Sequence, residues 1–214
     1  LERGSMANRS YLYSLSNRPK SYSDRPDTIS GLSEWNYQIP FFYLLLLSGD
    51  PQVSASLVSD GFEEEDDPSG LYALTGDFEL GMARAKKFLS TVSMCANQES
   101  GIAEATQEAL EFLNAHKDKY FLLETIELDC MSPSDGPDYW KNCVEYVRGE
   151  AIHAGLQVDK LSKYKWRAKK QLKEFEFSMN ADFDAPDAPM GIGYWTDILY
   201  FALQNKAEFA ANNP

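Results

Sequence analysis

The sequence is short of the residues that chemistry most often uses. It holds two histidines and three cysteines in 214 residues. Cys95, Cys130 and Cys143 are odd in number, and no two stand at metal or redox spacing. His116 and His153 each stand alone, so no zinc site is expected. The longest apolar run, Phe41 to Leu47, is far below the roughly 20 residues that span a bilayer. No membrane association is expected. Leu1 to Ser5 read as a cloning remnant ahead of a start at Met6, and no apolar segment follows it. Free thiols without a leader fit a reducing cytoplasm.

Positive charge is scarce as well. Lys and Arg number 20 against 33 Asp and Glu, which leaves a formal charge of −13. Such a field repels nucleic acid and anionic membrane, and it speeds encounter with a basic partner.

Recognisable nucleotide and catalytic motifs are missing. Gly76 and Gly81 stand at phosphate-loop spacing, but Met82 and Ala83 occupy the places of the lysine and hydroxyl. Gly81 falls inside a helical pattern and is better read as a close-packing position. Gly191-Ile192-Gly193 is too short for a dinucleotide fingerprint and reads as a flexible entry to a helix. There is no Gly-x-Ser-x-Gly elbow. No catalytic residue, metal ligand or cofactor is assigned.

What is present is a pattern of helices with a few strands. Ser10–Leu15 alternates as a strand, and Asn17–Gly31 reads as a long loop. Pro40 opens a helix over 41–48 that is apolar all round, hence central to the core. Leu71–Thr75 is a short strand. From Asp77 a helix places Phe78, Met82, Ala85, Phe88, Val92 and Cys95 on one face. A second helix, 102–116, turns Ile102, Ala105, Ala109, Phe112 and Leu113 inward. Tyr120–Leu128 suits a strand or a short helix.

Ser132–Asp138, with Pro133, Gly136 and Pro137, is the candidate boundary. Tyr139–Ala154 is helical, with Gly155 as its end. A further helix over 159–175 faces Leu161, Tyr164, Ala168, Leu172 and Phe175 inward. A last helix, Tyr194–Asn205, buries Trp195, Ile198, Leu199 and Ala202. The expected fold is α+β, mainly helical with a small β-sheet. An α+β core domain would cover 6–131. A helical part over 138–214 would pack on the same core.

Three features are candidates for recognition. The acidic run Glu63, Glu64, Glu65, Asp66 and Asp67, flanked by Pro68 and glycines, is an exposed loop. It is a solvated surface, or it mimics phosphates for a basic partner; desolvating it requires Lys and Arg opposite. Glu34, Trp35, Asn36 and Tyr37 mix ring surface with polar termini. The mixture suits a recognition surface, with Trp35 and Tyr37 as anchors. It also suits a buried polar anchor that locks the long loop to the core helix, and this second role is preferred. The cations Lys160, Lys163, Lys165, Arg167, Lys169, Lys170 and Lys173 surround Trp166. They read as a solvated helix paired with the protein's own acids, or as an RNA-binding face with Trp166 as stacking residue.

The stretches Ala7-Asn8-Arg9-Ser10-Tyr11-Leu12-Tyr13, Ser33-Glu34-Trp35-Asn36-Tyr37 with Ile39-Pro40, and Leu71 to Gly81 (LYALTGDFELG) resemble an uncharacterised bacterial domain family. That resemblance covers roughly the first half and implies no activity. In size, acidity and want of catalytic motifs the chain is also similar to immunity proteins of bacterial toxin systems, including those of type VI secretion. That likeness implies a binding protein that neutralises a cognate toxin, a nuclease effector among the candidates. The alternatives are an enzyme with a non-contiguous site, or an RNA-binding adaptor that uses 160–173.

Overall fold

The computed structural model describes residues 8–59, 70–95, 102–131, 138–179 and 191–213. Five strands and seven helices form an α+β fold among these residues. The strands are β1 (Arg9–Leu15), β2 (Ile29–Asn36), β3 (Gln52–Ala55), β4 (Tyr72–Asp77) and β5 (Tyr120–Glu124). They make one antiparallel sheet in the order β2-β1-β5-β4-β3. The helices are α1 (Phe41–Leu47), α2 (Phe78–Cys95), α3 (Ile102–Ala115), α4 (Ile126–Asp129), α5 (Tyr139–Asp159), α6 (Lys165–Met179) and α7 (Lys206–Asn212).

The two faces of the sheet have different covers. Leu12 on β1, Leu74 on β4, and Phe121 and Leu123 on β5 point into the main core. There α1 is the hub: Phe42, Tyr43, Leu45, Leu46 and Leu47 are all fully buried. The α2 stripe packs on it as its period of 3.6 requires, through Phe78, Met82, Ala85, Phe88 and Val92. Val144, Val147, Ala151 and Val158 of α5 and Leu172 and Phe175 of α6 join the same core. The side chains that alternate with these, Tyr11, Tyr13, Leu15, Ala73 and Leu122, face the other way. Leu57, Leu199, Phe201 and Leu203 close over them.

Several local expectations are corrected. Ile29–Asn36 is a strand rather than the end of a loop. A bulge hides its alternation: the register with β1 shifts between Leu12 and Tyr13, so Leu32 has no partner across the ladder. Tyr120–Leu128 divides into a strand and the single turn of α4. Helix α5 continues through Gly155 to Asp159. A Cβ on Gly155 would stand 2.6 Å from the Arg84 guanidinium and 2.9 Å from Ser48 Cβ, so this glycine permits close packing rather than ending the helix. The next helix starts at Lys165, not 159, and Tyr164 is exposed.

The largest correction concerns Tyr194–Asn205, which is not helical. It is an irregular strap. Leu199, Phe201 and Leu203 alternate along it against the second sheet face, while Ile198 points to solvent at 83% exposure and Ala202 is exposed. Gly191 sets its start with φ of 76°, a left-handed turn pressed on the ring of Pro40. That is a tight turn, not a flexible helix entry. The strap ends where Asn205 caps α7, with Glu208 completing a capping box.

Candidate functional site

The edge strand β2 would expose unpaired backbone, and the strap covers it. The Thr196 N–H donates to the Leu32 carbonyl at 3.0 Å, so the bulged residue is the point of attachment. The Ser33 hydroxyl donates to the carbonyl of Tyr194, and buried Tyr43 of α1 donates to Ser33. This hydroxyl chain ties the strap to the core helix. Farther along, the Tyr200 N–H donates to Glu34 at 2.7 Å.

Between β2 and the strap lies a cleft of about 560 Å³, lined by Arg9, Glu34, Trp35, Asn36, Tyr194 and Thr196. Trp35 and Tyr194 meet edge to face at 5.3 Å. Arg9 pairs with Glu34 at 3.2 Å, and its guanidinium lies 4.7 Å over the Tyr200 ring. Tyr194, Ile198 and Tyr200 are each more than half exposed along the strap. The site thus presents ring faces, one aliphatic knob, an ion pair, an amide and a hydroxyl. Groups of this kind bind by shape, apolar contact and hydrogen bonding.

Of the residues named from sequence, Trp35 lines this cleft. Tyr37 follows at the end of β2, 56% exposed, in a left-handed conformation with φ of 62°. Its N–H donates to the Asn8 carbonyl at 2.7 Å. The anchoring role falls on Glu34 and Trp35, but what they hold is the strap, not the loop before β2. Glu63, Glu64, Glu65, Asp66 and Asp67 lie outside the described residues. Tyr194, Ile198 and Tyr200 were missed because a helical reading turned some of this segment inward. The signal available was the alternation of Leu199, Phe201 and Leu203, which throws Ile198 and Tyr200 to the opposite side.

A second polar cluster lies under the other sheet face. Glu124, fully buried at the end of β5, accepts from the Ser56 hydroxyl at 2.8 Å and the Leu57 N–H at 2.7 Å. Burial pushes its carboxyl up to about 7, against the pull of those two bonds and of Arg25. Arg25 is itself buried, donates to the Leu57 carbonyl at 2.9 Å, and lies between the rings of Tyr22 and Phe209 at 4.2 and 4.4 Å. Both Glu124 oxygens are engaged, so the group fastens the 56–57 segment to the sheet. Ser56 also lines a shallow cleft of about 440 Å³ with Lys20, Ser21 and Tyr72.

Burial also raises the thiols of Cys95, Cys130 and Cys143 above their ordinary value, which keeps them protonated at neutral pH. Among the described residues, no three His, Cys, Asp or Glu side chains converge as a metal site. No helix among them is long and apolar enough to cross a membrane.

Fold and site define an α+β protein with an aromatic cleft between an edge strand and its strap. The chain belongs to DUF7822, a domain family of unknown function, which it matches over residues 16–163. The match includes the Trp35 and Leu71–Gly81 stretches and runs past the segment 132–137. No curated protein and no solved structure matches the chain.

Proposed function

We propose that this is a binding protein of the immunity type, which covers and neutralises a cognate bacterial toxin in the cytoplasm. The observation that carries this reading is the cleft between β2 and the strap, where Trp35 meets Tyr194, together with the exposed rings and side chain of Tyr37, Tyr200 and Ile198 on the same two segments. Large exposed rings are what interface centres use, and a monomer seldom leaves such a group uncovered. The formal charge of −13 supplies the second support. It steers a basic partner, and nucleases, which carry cationic grooves for nucleic acid, are the toxin class it suits. In this reading Trp35 and Tyr37 are anchors, and Glu63 to Asp67 accelerate encounter.

The test is a rescue of growth. The product of the adjacent gene is expressed in a sensitive bacterium with and without this chain, and the pair is purified together. Relief of growth arrest with a stable complex is the expected result. A neighbour that arrests growth despite this chain, with no complex, overturns the pairing. The cleft is then tested within the rescue: Tyr37→Ala combined with Tyr200→Ala, both at exposed rings, should abolish protection while the protein stays folded.

A further inference from the structure

Helix α6 and the turn before it carry a feature that the cleft does not use. Residues 160–173 contain seven of the chain's 20 Lys and Arg residues and no acid. All seven are exposed. The sequence favours pairing of these cations with the protein's own carboxylates. Among the described residues none of the seven lies in an ion pair, although Arg84, Arg148 and Lys117 elsewhere do. Two large rings stand among them: Trp166 is 69% exposed and Tyr164 is 56% exposed. The Arg167 guanidinium lies 5.0 Å from the Trp166 ring and the Lys163 ammonium 5.5 Å from the Tyr164 ring.

The helical period organises these groups. Ala168, Leu172 and Phe175 are buried against the core. Trp166, Lys170 and Lys173, at i, i+4 and i+7, fall together on the opposite side. Seven residues of helix put Trp166 and Lys173 about 10 Å apart along the axis. A ring with exposed cations in line beyond it can hold a strand whose base stacks and whose phosphates follow.

We infer that the outward face of α6 binds single-stranded nucleic acid, with Trp166 as the stacking platform and Lys170 and Lys173 as phosphate contacts. An acidic peptide would satisfy the lysines but would leave the indole uncovered, so the ring decides between the two partners. The acidity of the remaining chain does not forbid this. Glu174 stands exposed beside Lys173 and one turn from Lys170, so the face is locally cationic but not free of acid. Charges more than about 8 Å away are largely screened at physiological ionic strength. The inference stands apart from the immunity reading, since it uses neither the cleft nor a toxin.

The test titrates the full-length protein with labelled oligouridylate and oligothymidylate of about 12 nucleotides, at about 50 and about 200 mM salt. Expected are binding that weakens with salt and a quench of indole fluorescence that Trp166→Phe removes. Trp166→Ala should weaken binding about tenfold. Lys170→Gln with Lys173→Gln should lower the salt slope by about 1.4. These positions are exposed, so melting should not change, which separates a contact from a folding defect. Preference for one oligomer assigns the source as RNA or DNA. Absence of binding at the lower salt, the same affinity in all the variants, or equal displacement by polyglutamate overturns the inference.

Discussion

Gly81 of α2 lies directly against the main-chain carbonyl of Leu46 on α1, with no room between them for a methyl group. The contact sets how closely the two central helices approach. Alanine is ordinarily the better helix residue by about 1 kcal/mol. Here the added carbon meets backbone, which cannot swing aside. Gly81→Ala should therefore lower stability by about 1–3 kcal/mol, read as a lower urea midpoint at unchanged m-value. A higher midpoint would mean that the helices separate without cost.

Stability should depend on pH through Glu124. Its folded-state value of about 7 lies above the ordinary 4.5. Folding then favours the protonated form. The contribution of this group is full below the unfolded value and is lost as pH rises toward 7. Above that it amounts to a deficit of roughly 3 kcal/mol relative to acid. Asp129, raised to about 6 by burial, slopes the same way. Glu124→Gln should remove much of the decline between about pH 4.5 and 7, leaving the variant the more stable protein at pH 8. Parallel curves for the two proteins would contradict this.

Tyr13 donates its buried hydroxyl to the Phe201 carbonyl at 2.6 Å. Tyr13→Phe leaves that carbonyl without its donor and should cost about 1–2 kcal/mol. Amide exchange should rise first along the strap, at 199–203, before the sheet is affected. Uniform acceleration throughout would show that the strap has no separate opening.

Ile198 is 83% exposed, and truncation there should leave melting within about 0.5 kcal/mol of the parent. Ile198→Asp should nonetheless weaken partner binding at least tenfold, by putting a charge on the apolar rim. An undiminished affinity in calorimetry would remove the strap from the interface.

Charge reversal of Glu63, Glu64 and Glu65 should slow association with a basic partner and flatten its salt dependence, with dissociation little changed. Stopped-flow mixing at two ionic strengths measures both. Equal association rates would leave the run with no part in steering.

The core was legible because α1 and α2 announce themselves: seven apolar residues in a row cannot face water, and Phe78 to Val92 repeats at helical spacing. The second sheet face was harder to see. In β2 a bulge at Leu32 breaks the alternation, and Ser30, Gly31 and Ser33 lack strand character. Strand β3 is only four residues long. Trp195, Leu199 and Ala202 mimic a helical stripe, so the strap was misread, and the cleft's Tyr194 and Thr196 went with it. Trp35 could be picked out from its neighbours in sequence. Its companions Arg9 and Tyr194 could not, because folding brings them from opposite ends of the chain.

That origin gives the cleft a divided make-up. Glu34, Trp35 and Asn36 lie within the stretch shared with the family, whereas Arg9, Tyr194 and Thr196 lie outside it. The cleft thus joins residues inside the matched stretch to residues on either side of it, Arg9 on β1 and Tyr194 and Thr196 on the strap. The strap is not separate from the central helices, because the Trp195 ring meets Phe42 of α1 at 5.9 Å and Phe112 of α3 at 6.1 Å. A change in the strap is therefore carried inward through one indole to the helices on which the whole sheet rests.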